Sequence, residues 1–461
     1  MSLKKPITSG VVLSLGSLIG ALLLLIRNVL VARAVSVEDF GIAATFSITM
    51  ALLETSSNLA VDRLLVQSKK GNQTELQSAA QAFEVIRGVV TACVVYLCAA
   101  PIAILFELEH LKWAYQILAL VPLIRGFLHL DTARFQREMK FMPLVLVDVV
   151  PKLITVSMIP WLVKYYPDYR VMLIVIFSEV SLSILCSHIV KERKYYVKWN
   201  KQHFYTIFNF GWPLLLNGLL LVAISQADKV IVGSGIGIEE LGWFSAAFAL
   251  ALIPHNIAAR ILRVFLTPIL SKDFHEGKSF EQGAKVVLMA CAVFGISLTA
   301  GIVISGGSVL ELAFGEKYSA GVIVLTWFAV MQGIRLVKLG PFIVALSAGD
   351  TTLPMRANFL RCASIPLAVA SVVLEYSVIG IALSAIIGEF IATSYSYVYL
   401  HKKQRISNWS LLTLFSVCVW SSVALLHFEL VEFSERSLFF SLIVGPLISV
   451  AVVLLFLAVS G

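Results

Sequence analysis

Fourteen apolar runs of roughly bilayer-spanning length follow one another between residues 10 and 460, and no polar stretch between them is long enough for a soluble domain. A helix crosses the hydrocarbon core of a bilayer in about 20 apolar residues. Only helices and closed barrels satisfy the backbone there. The runs are too long for barrel strands, so the predicted fold class is all-α: a polytopic membrane protein of about fourteen transmembrane helices. The predicted spans are 10–33, 41–66, 80–105, 113–134, 143–163, 170–190, 208–232, 241–267, 285–306, 320–346, 354–374, 378–400, 409–427 and 438–460. Hydrophobic residues make up 59% of the chain and charged residues 14%, against about 25% charged in soluble domains. The first run is too long for a cleavable signal and is expected to stay in the membrane.

Charge alternates from loop to loop. One set is basic: Lys4 and Lys5, Lys69 and Lys70, Arg137 and Lys140, the segment KERKYYVKWNK (191–201), then Lys402 and Lys403. The other set is acidic or sparse: Glu38 and Asp39, Glu239 and Glu240, then Glu429, Glu432 and Glu435. Basic loops stay on the cytoplasmic side, so both termini are expected in the cytoplasm. The net charge of +8 is thus a topology signal and not one of nucleic-acid binding. The segment 191–201 divides the chain into an N-lobe, 1–200, and a C-lobe, 201–404, with 405–461 as two further helices. That segment is either a plain positive-inside loop or a strap along the anionic leaflet, with Tyr195, Tyr196 and Trp199 at headgroup level. The six cysteines lie in apolar runs without metal-ligand spacing and are expected to be unpaired. No phosphate-binding loop, zinc-protease motif or nucleophile elbow occurs, so no catalytic residue, metal or cofactor is predicted. Any active transport would draw on an ion gradient, of H+ or Na+, or on substrate supply.

The chain repeats itself. Sliding the first half by 201 residues places Glu38-Asp39-Phe40-Gly41 on Glu239-Glu240-Leu241-Gly242, and Arg27 on Asp228. An offset of 210 places Ile124-Arg125 on Ile334-Arg335 and Glu179 on Glu389; an offset of 209 places Lys152 on Arg361. Two similar halves in the same orientation follow from a direct repeat. Charges at membrane depth are costly and mark function or internal pairing. Lys152 with Glu179, and Arg361 with Glu389, are expected as ion pairs inside each lobe. Asp148 with Lys152, and Glu84 with Arg87, have the i+4 and i+3 spacing of intrahelical pairs. Arg125 and Arg335 have no evident partner and are assigned to a water-filled cavity. Ser17, Gly20, Leu24 and Arg27 share one face of the first span; Ser245, Asn256, Arg260 and Arg263 share one face of the eighth. His129 and His255 are either packing residues or parts of a proton relay. Arg27 and Asp228, opposite in charge at equivalent positions, are candidate partners in a gate on the outer side.

The hairpin sequence QADKVIVGSGIGIEELGWFSAA, its counterpart VARAVSVEDFGIAA and the segment ARFQREMKF resemble the bacterial polysaccharide transport proteins. These are lipid-linked oligosaccharide flippases of the multidrug/oligosaccharidyl-lipid/polysaccharide (MOP) exporter superfamily, and the resemblance runs through nearly the whole chain. It implies two six-helix bundles around a central cleft, two extra C-terminal helices and transport by alternating access. It implies as cargo an undecaprenyl-pyrophosphate-linked glycan moved to the periplasmic leaflet of a bacterial inner membrane. O-antigen or exopolysaccharide synthesis is the implied setting, with membrane lipids and polysaccharide polymerase or export proteins as partners. Related lipid II flippases have functional arginines in their first and eighth helices, where Arg27 and Arg260 stand here. They also have an acid beside the first arginine, where this chain has Asn28, so coupling by that route lacks its acid. For an anionic cargo, Arg27, Arg125, Arg260, Arg263, Arg335 and Lys338 would form a cationic cleft, because guanidinium forks match phosphate oxygens. Two rivals stand beside this reading. A drug/ion antiporter of the same superfamily would favour an acid in the first span, which holds none. A membrane polymerase or glycosyltransferase would carry a large outer loop or an acidic catalytic motif.

Overall fold

A computed structural model describes residues 4–276, 280–404 and 406. Among them the regular structure is helical. Nine helices among the described residues are long and apolar enough to cross a membrane, and each coincides with a predicted span. The thirteenth and fourteenth predicted spans lie outside the described residues. The chain forms two compact units, Met1–Gly242 and Trp243–Gly461.

The first unit contains α1 (Lys4–Ala34), α2 (Val37–Ser57), α3 (Val61–Gln67), α4 (Thr74–Leu105), α5 (Lys112–Leu118), α6 (Leu120–Arg125), α7 (Asp131–Arg137), α8 (Met142–Tyr165), α9 (Arg170–Val190) and α10 (Lys201–Gly235). Ser36 starts α2 by accepting the Asp39 N–H at 3.0 Å, and Glu38 and Asp39 sit on the positive end of that helix. Two predicted spans of this unit are broken, not continuous. In the second, Asn58 accepts the Ala60 N–H at 2.8 Å and Ala60 turns left-handed at φ 50°, which separates α2 from α3. In the fourth, Pro122 lacks the N–H that would join α5 to α6, and α7 starts anew at Asp131.

The core of this unit gathers α2, α4 and α5, where Phe46 and Tyr115 are wholly buried. The Tyr115 hydroxyl, which cannot go unpaired in an apolar core, meets Thr45 Oγ1 at 2.6 Å.

The second unit contains most of α11 (Ile238–Glu276), then α12 (Phe280–Phe314), α13 (Gly321–Ser347), α14 (Thr352–Arg361), α15 (Ser364–Val373) and α16 (Val378–Gln404). The eleventh predicted span is also broken, into α14 and α15. Pro366, third in α15, removes the bond that would have continued the turn. Helix α13 is the central one and is buried along most of its length. It approaches α12 through small residues: a Cβ on Gly295 would come within 2.7 Å of the Gly333 carbonyl oxygen, and Thr299 Oγ1 donates to the Ala329 carbonyl at 3.2 Å. Without a hydrophobic driving force between helices in lipid, such close backbone approach and hydrogen bonding supply the association.

Candidate functional site

In the first unit, α1, α8 and α9, with the end of α6, enclose a cavity of about 490 Å³. Its polar wall carries Ser17, Arg125, Thr132, Asp148, Lys152 and Glu179. Arg125 also reaches a smaller cavity of about 110 Å³, bounded by Glu54, Ser57, Arg87 and Thr91. Arg125 thus borders two cavities inside one unit.

The charges on these walls are paired. Arg27 donates to Glu179 at 2.9 Å. Lys152 bonds Asp148 one turn away on α8. Arg125 bonds Glu54, and Arg87 bonds Glu84. Two expectations are corrected here. Lys152 and Glu179 are not each other's partners: the i+4 acid is the nearer one for Lys152, and α1 brings Arg27 to Glu179. Arg125 does have a partner, Glu54, which lies off the polar stripe of α2 and was not singled out in the sequence.

In the second unit Glu389 is fully buried on α16. It accepts Arg335 at 2.5 Å and Arg361 at 2.7 Å, and Lys338 bonds its other oxygen. Arg335 also donates to Gln332 Oε1 at 3.3 Å, and His255 Nδ1 donates to the Gln332 carbonyl at 3.2 Å. The view of Arg335 as an unpartnered cation is therefore corrected, and Lys338 shares its acid. A buried carboxylate of this kind persists because cations from two other helices compensate its lost hydration.

The remaining two of the six predicted cleft cations are on α11. Arg260 is half-buried and Arg263 exposed, and among the described residues neither makes an ion pair. Asp228 is buried, and neither it nor Lys229 is without a partner.

The segment between α9 and α10 is held against the first unit, a feature the sequence did not reveal. Asp131, buried at the start of α7, accepts the N–H groups of Glu192 and Arg193 at 2.8 and 2.9 Å, and also bonds Arg134 and Gln77. Arg134 in turn reaches Glu192 at 2.6 Å. The Tyr195 ring packs on His129 and His188 at 5.5 and 5.1 Å between centroids. His129 is a packing residue in this cluster, its Nδ1 accepting the Asp131 N–H at 3.1 Å.

A family model described as polysaccharide biosynthesis protein matches residues 30–323, more than half of the chain. The chain belongs to the polysaccharide biosynthesis protein family. Teichuronic acid biosynthesis protein TuaB of Bacillus subtilis (strain 168) is 23% identical to it over 283 residues, 60% of this chain and 57% of TuaB. The chain thus covers little more than half the length of that relative. A membrane protein of the cps region of Klebsiella pneumoniae is 22% identical over 420 residues, 87% of this chain and 84% of that one.

Among solved structures, the lipid II flippase MurJ in an inward closed conformation superposes with a TM-score of 0.74, at 16% identity, over 97% of this chain and 98% of MurJ. An inward-facing multidrug resistance MATE transporter of the MOP superfamily superposes with a TM-score of 0.65, at 11% identity, over 87% and 95% of the two chains. This polysaccharide biosynthesis family member is a multi-pass membrane protein with the MOP fold.

Proposed function

We propose that the protein is a flippase. It moves an undecaprenyl-pyrophosphate-linked oligosaccharide unit from the cytoplasmic to the periplasmic leaflet of a bacterial inner membrane by alternating access, for surface polysaccharide synthesis. The observation that carries this is family membership over residues 30–323 on a fold shared with a lipid II flippase along nearly the whole chain. Two lobes, 1–200 and 201–404, would rock about a cleft, with 405–461 as additional helices and both termini cytoplasmic. Arg260 and Arg263, which have no acid to neutralise them among the described residues, are suited to the diphosphate; low dielectric strengthens such charge-assisted contacts. Arg27, Arg125, Arg335 and Lys338 are held by acids and would act on the cargo only by exchanging those partners.

The test is transport of undecaprenyl diphosphate carrying a fluorescent sugar across proteoliposomes containing the full chain. Arg260→Gln with Arg263→Gln is expected to abolish transport while insertion and melting temperature stay normal. Absence of transport by the unaltered protein, or normal transport by the double variant, rejects the assignment or its residues respectively. Cysteines placed at Glu239 and Lys198 report orientation: the first is expected to be labelled from the periplasm and the second not. A second reading, cation-coupled drug export, has the MATE superposition in its favour. Drug resistance conferred on a sensitive host by the full chain would select it.

A further inference from the structure

We infer that the cavity of the first unit seats one uncharged, hydroxyl-rich sugar residue of the cargo; this rests on the carrier-lipid reading above. At about 490 Å³ the cavity lies within the roughly 300–1,000 Å³ of small-molecule sites. Its lining charges cancel: Arg125 and Lys152 are two cations, and Asp148 and Glu179 are two acids. Each cation lining this wall is already paired with an acid, Arg125 with Glu54 and Lys152 with Asp148. A sugar carboxylate or a phosphate would add net negative charge to this balanced wall and would have to draw a cation away from its acid.

An uncharged sugar meets no such obstacle. A carboxylate has about four lone-pair sites, and the pairing of Asp148 with Lys152 and that of Glu179 with Arg27 each use one oxygen. The remaining acceptor sites can take sugar hydroxyls as charge-assisted hydrogen bonds, which are roughly twice as strong as neutral ones. Ser17, Thr132 and Ser183 add hydroxyls to the same wall. Ser17 spends its proton on the Leu13 carbonyl at 2.9 Å, so its oxygen faces a guest as an acceptor. Leu13, Val145 and Val180 supply apolar surface for the C–H faces of a ring. A bare isoprenoid chain would offer no donor to the wall's spare acceptor sites.

The experiment measures binding to the full chain in phosphatidylcholine nanodiscs. The probes are undecaprenyl diphosphate alone, the same carrier with N-acetylglucosamine, and the same carrier with glucuronic acid. The N-acetylglucosamine carrier is expected to bind about tenfold tighter than the glucuronate carrier, the worth of about one charged hydrogen bond. Asp148→Asn leaves Lys152 without its acid and is expected to erase or reverse that preference; Asp148→Asn with Lys152→Gln restores neutrality and should restore it. Ser183→Leu fills the cavity, and is expected to weaken both sugar carriers while bare undecaprenyl diphosphate binds as before. Equal binding of the two sugar carriers overturns the inference, as does an Asp148→Asn effect that is the same on both. If none of the three carriers binds the unaltered protein, the carrier reading itself fails, and the inference with it.

Discussion

Gly41 and Gly242 occupy the same place in the two repeats and make reciprocal contacts. A Cβ on Gly41 would stand 1.9 Å from the carbonyl oxygen of Ile238, and one on Gly242 would stand 2.3 Å from that of Val37. Val37 and Ile238 are themselves the first residues of α2 and α11, and the offset of 201 that relates the glycines relates them too. The two helix starts therefore cross with local two-fold symmetry, backbone against backbone. In a helix, alanine normally improves on glycine by about 1 kcal/mol. Here Gly41→Ala and Gly242→Ala are each expected to destabilise the protein by about 1–3 kcal/mol through overpacking. Gly218→Ala, where the nearest atom is a Thr55 methyl at 3.2 Å, should be mild. Unfolding of the purified variants in detergent measures all three.

Glu389 bonds three cations from α13 and α14 in a buried site. Glu389→Gln removes their common acid and should cost about 3–5 kcal/mol, enough to lose most folded protein. Removing one cation as well, by Lys338→Met, should recover part of the loss. Yield and monodispersity on size exclusion report it; a stable single Glu389→Gln protein would show that the cluster is dispensable.

Asp350 lies in the turn after α13, outside the spanning segments. Burial alone would raise its carboxyl, but hydrogen bonds from Lys403, Thr352 and Tyr399 hold it well below the usual carboxylate range. A group depressed in the folded state contributes its stability above the unfolded value, about 3.9 for Asp. That contribution is lost as pH falls below about 4 and on through the folded value. The melting temperature of the unaltered protein should therefore fall across that acid window. Asp350→Asn should melt lower at neutral pH and show a shallower acid decline; equal slopes would remove Asp350 from the account.

Arg27 pairs with Glu179, while Asp228 marks the repeat-equivalent position on α10. We propose that Arg27 trades Glu179 for Asp228 when the outer side closes, since a pair present in one state biases that state. Asp228→Arg should then hold the outer side open, as read by labelling of an outer cysteine, and the swap with Arg27→Asp should restore part of the closure. A swap no better than the single change ends the gate idea.

What the sequence made legible was local. Glu84 with Arg87, and Asp148 with Lys152, are pairs within one helix, and both are present. The partners of Arg125 and Arg335 were out of reach, because Glu54 is 71 residues from the first and Glu389 is 54 from the second. No spacing or repeat in the sequence marks Asp131, which holds the backbone of Glu192 and Arg193. The ring neighbours of Tyr195, His129 and His188, come from separate segments and could not be read along the chain.

The sequence by itself determined that this chain lives in a membrane, where its nine described long helices fall, and that its halves repeat. Transfer from water to lipid depends on the side chains of one segment at a time, so it can be read along a line. Tertiary structure alone decided which charges remain available for a cargo. Successive helical side chains turn about 100° apart, and whether a guanidinium meets an acid depends on which helix packs beside it. Packing placed acids against Arg27, Arg125, Arg335 and Lys338, and among the described residues left Arg260 and Arg263 without an ion pair.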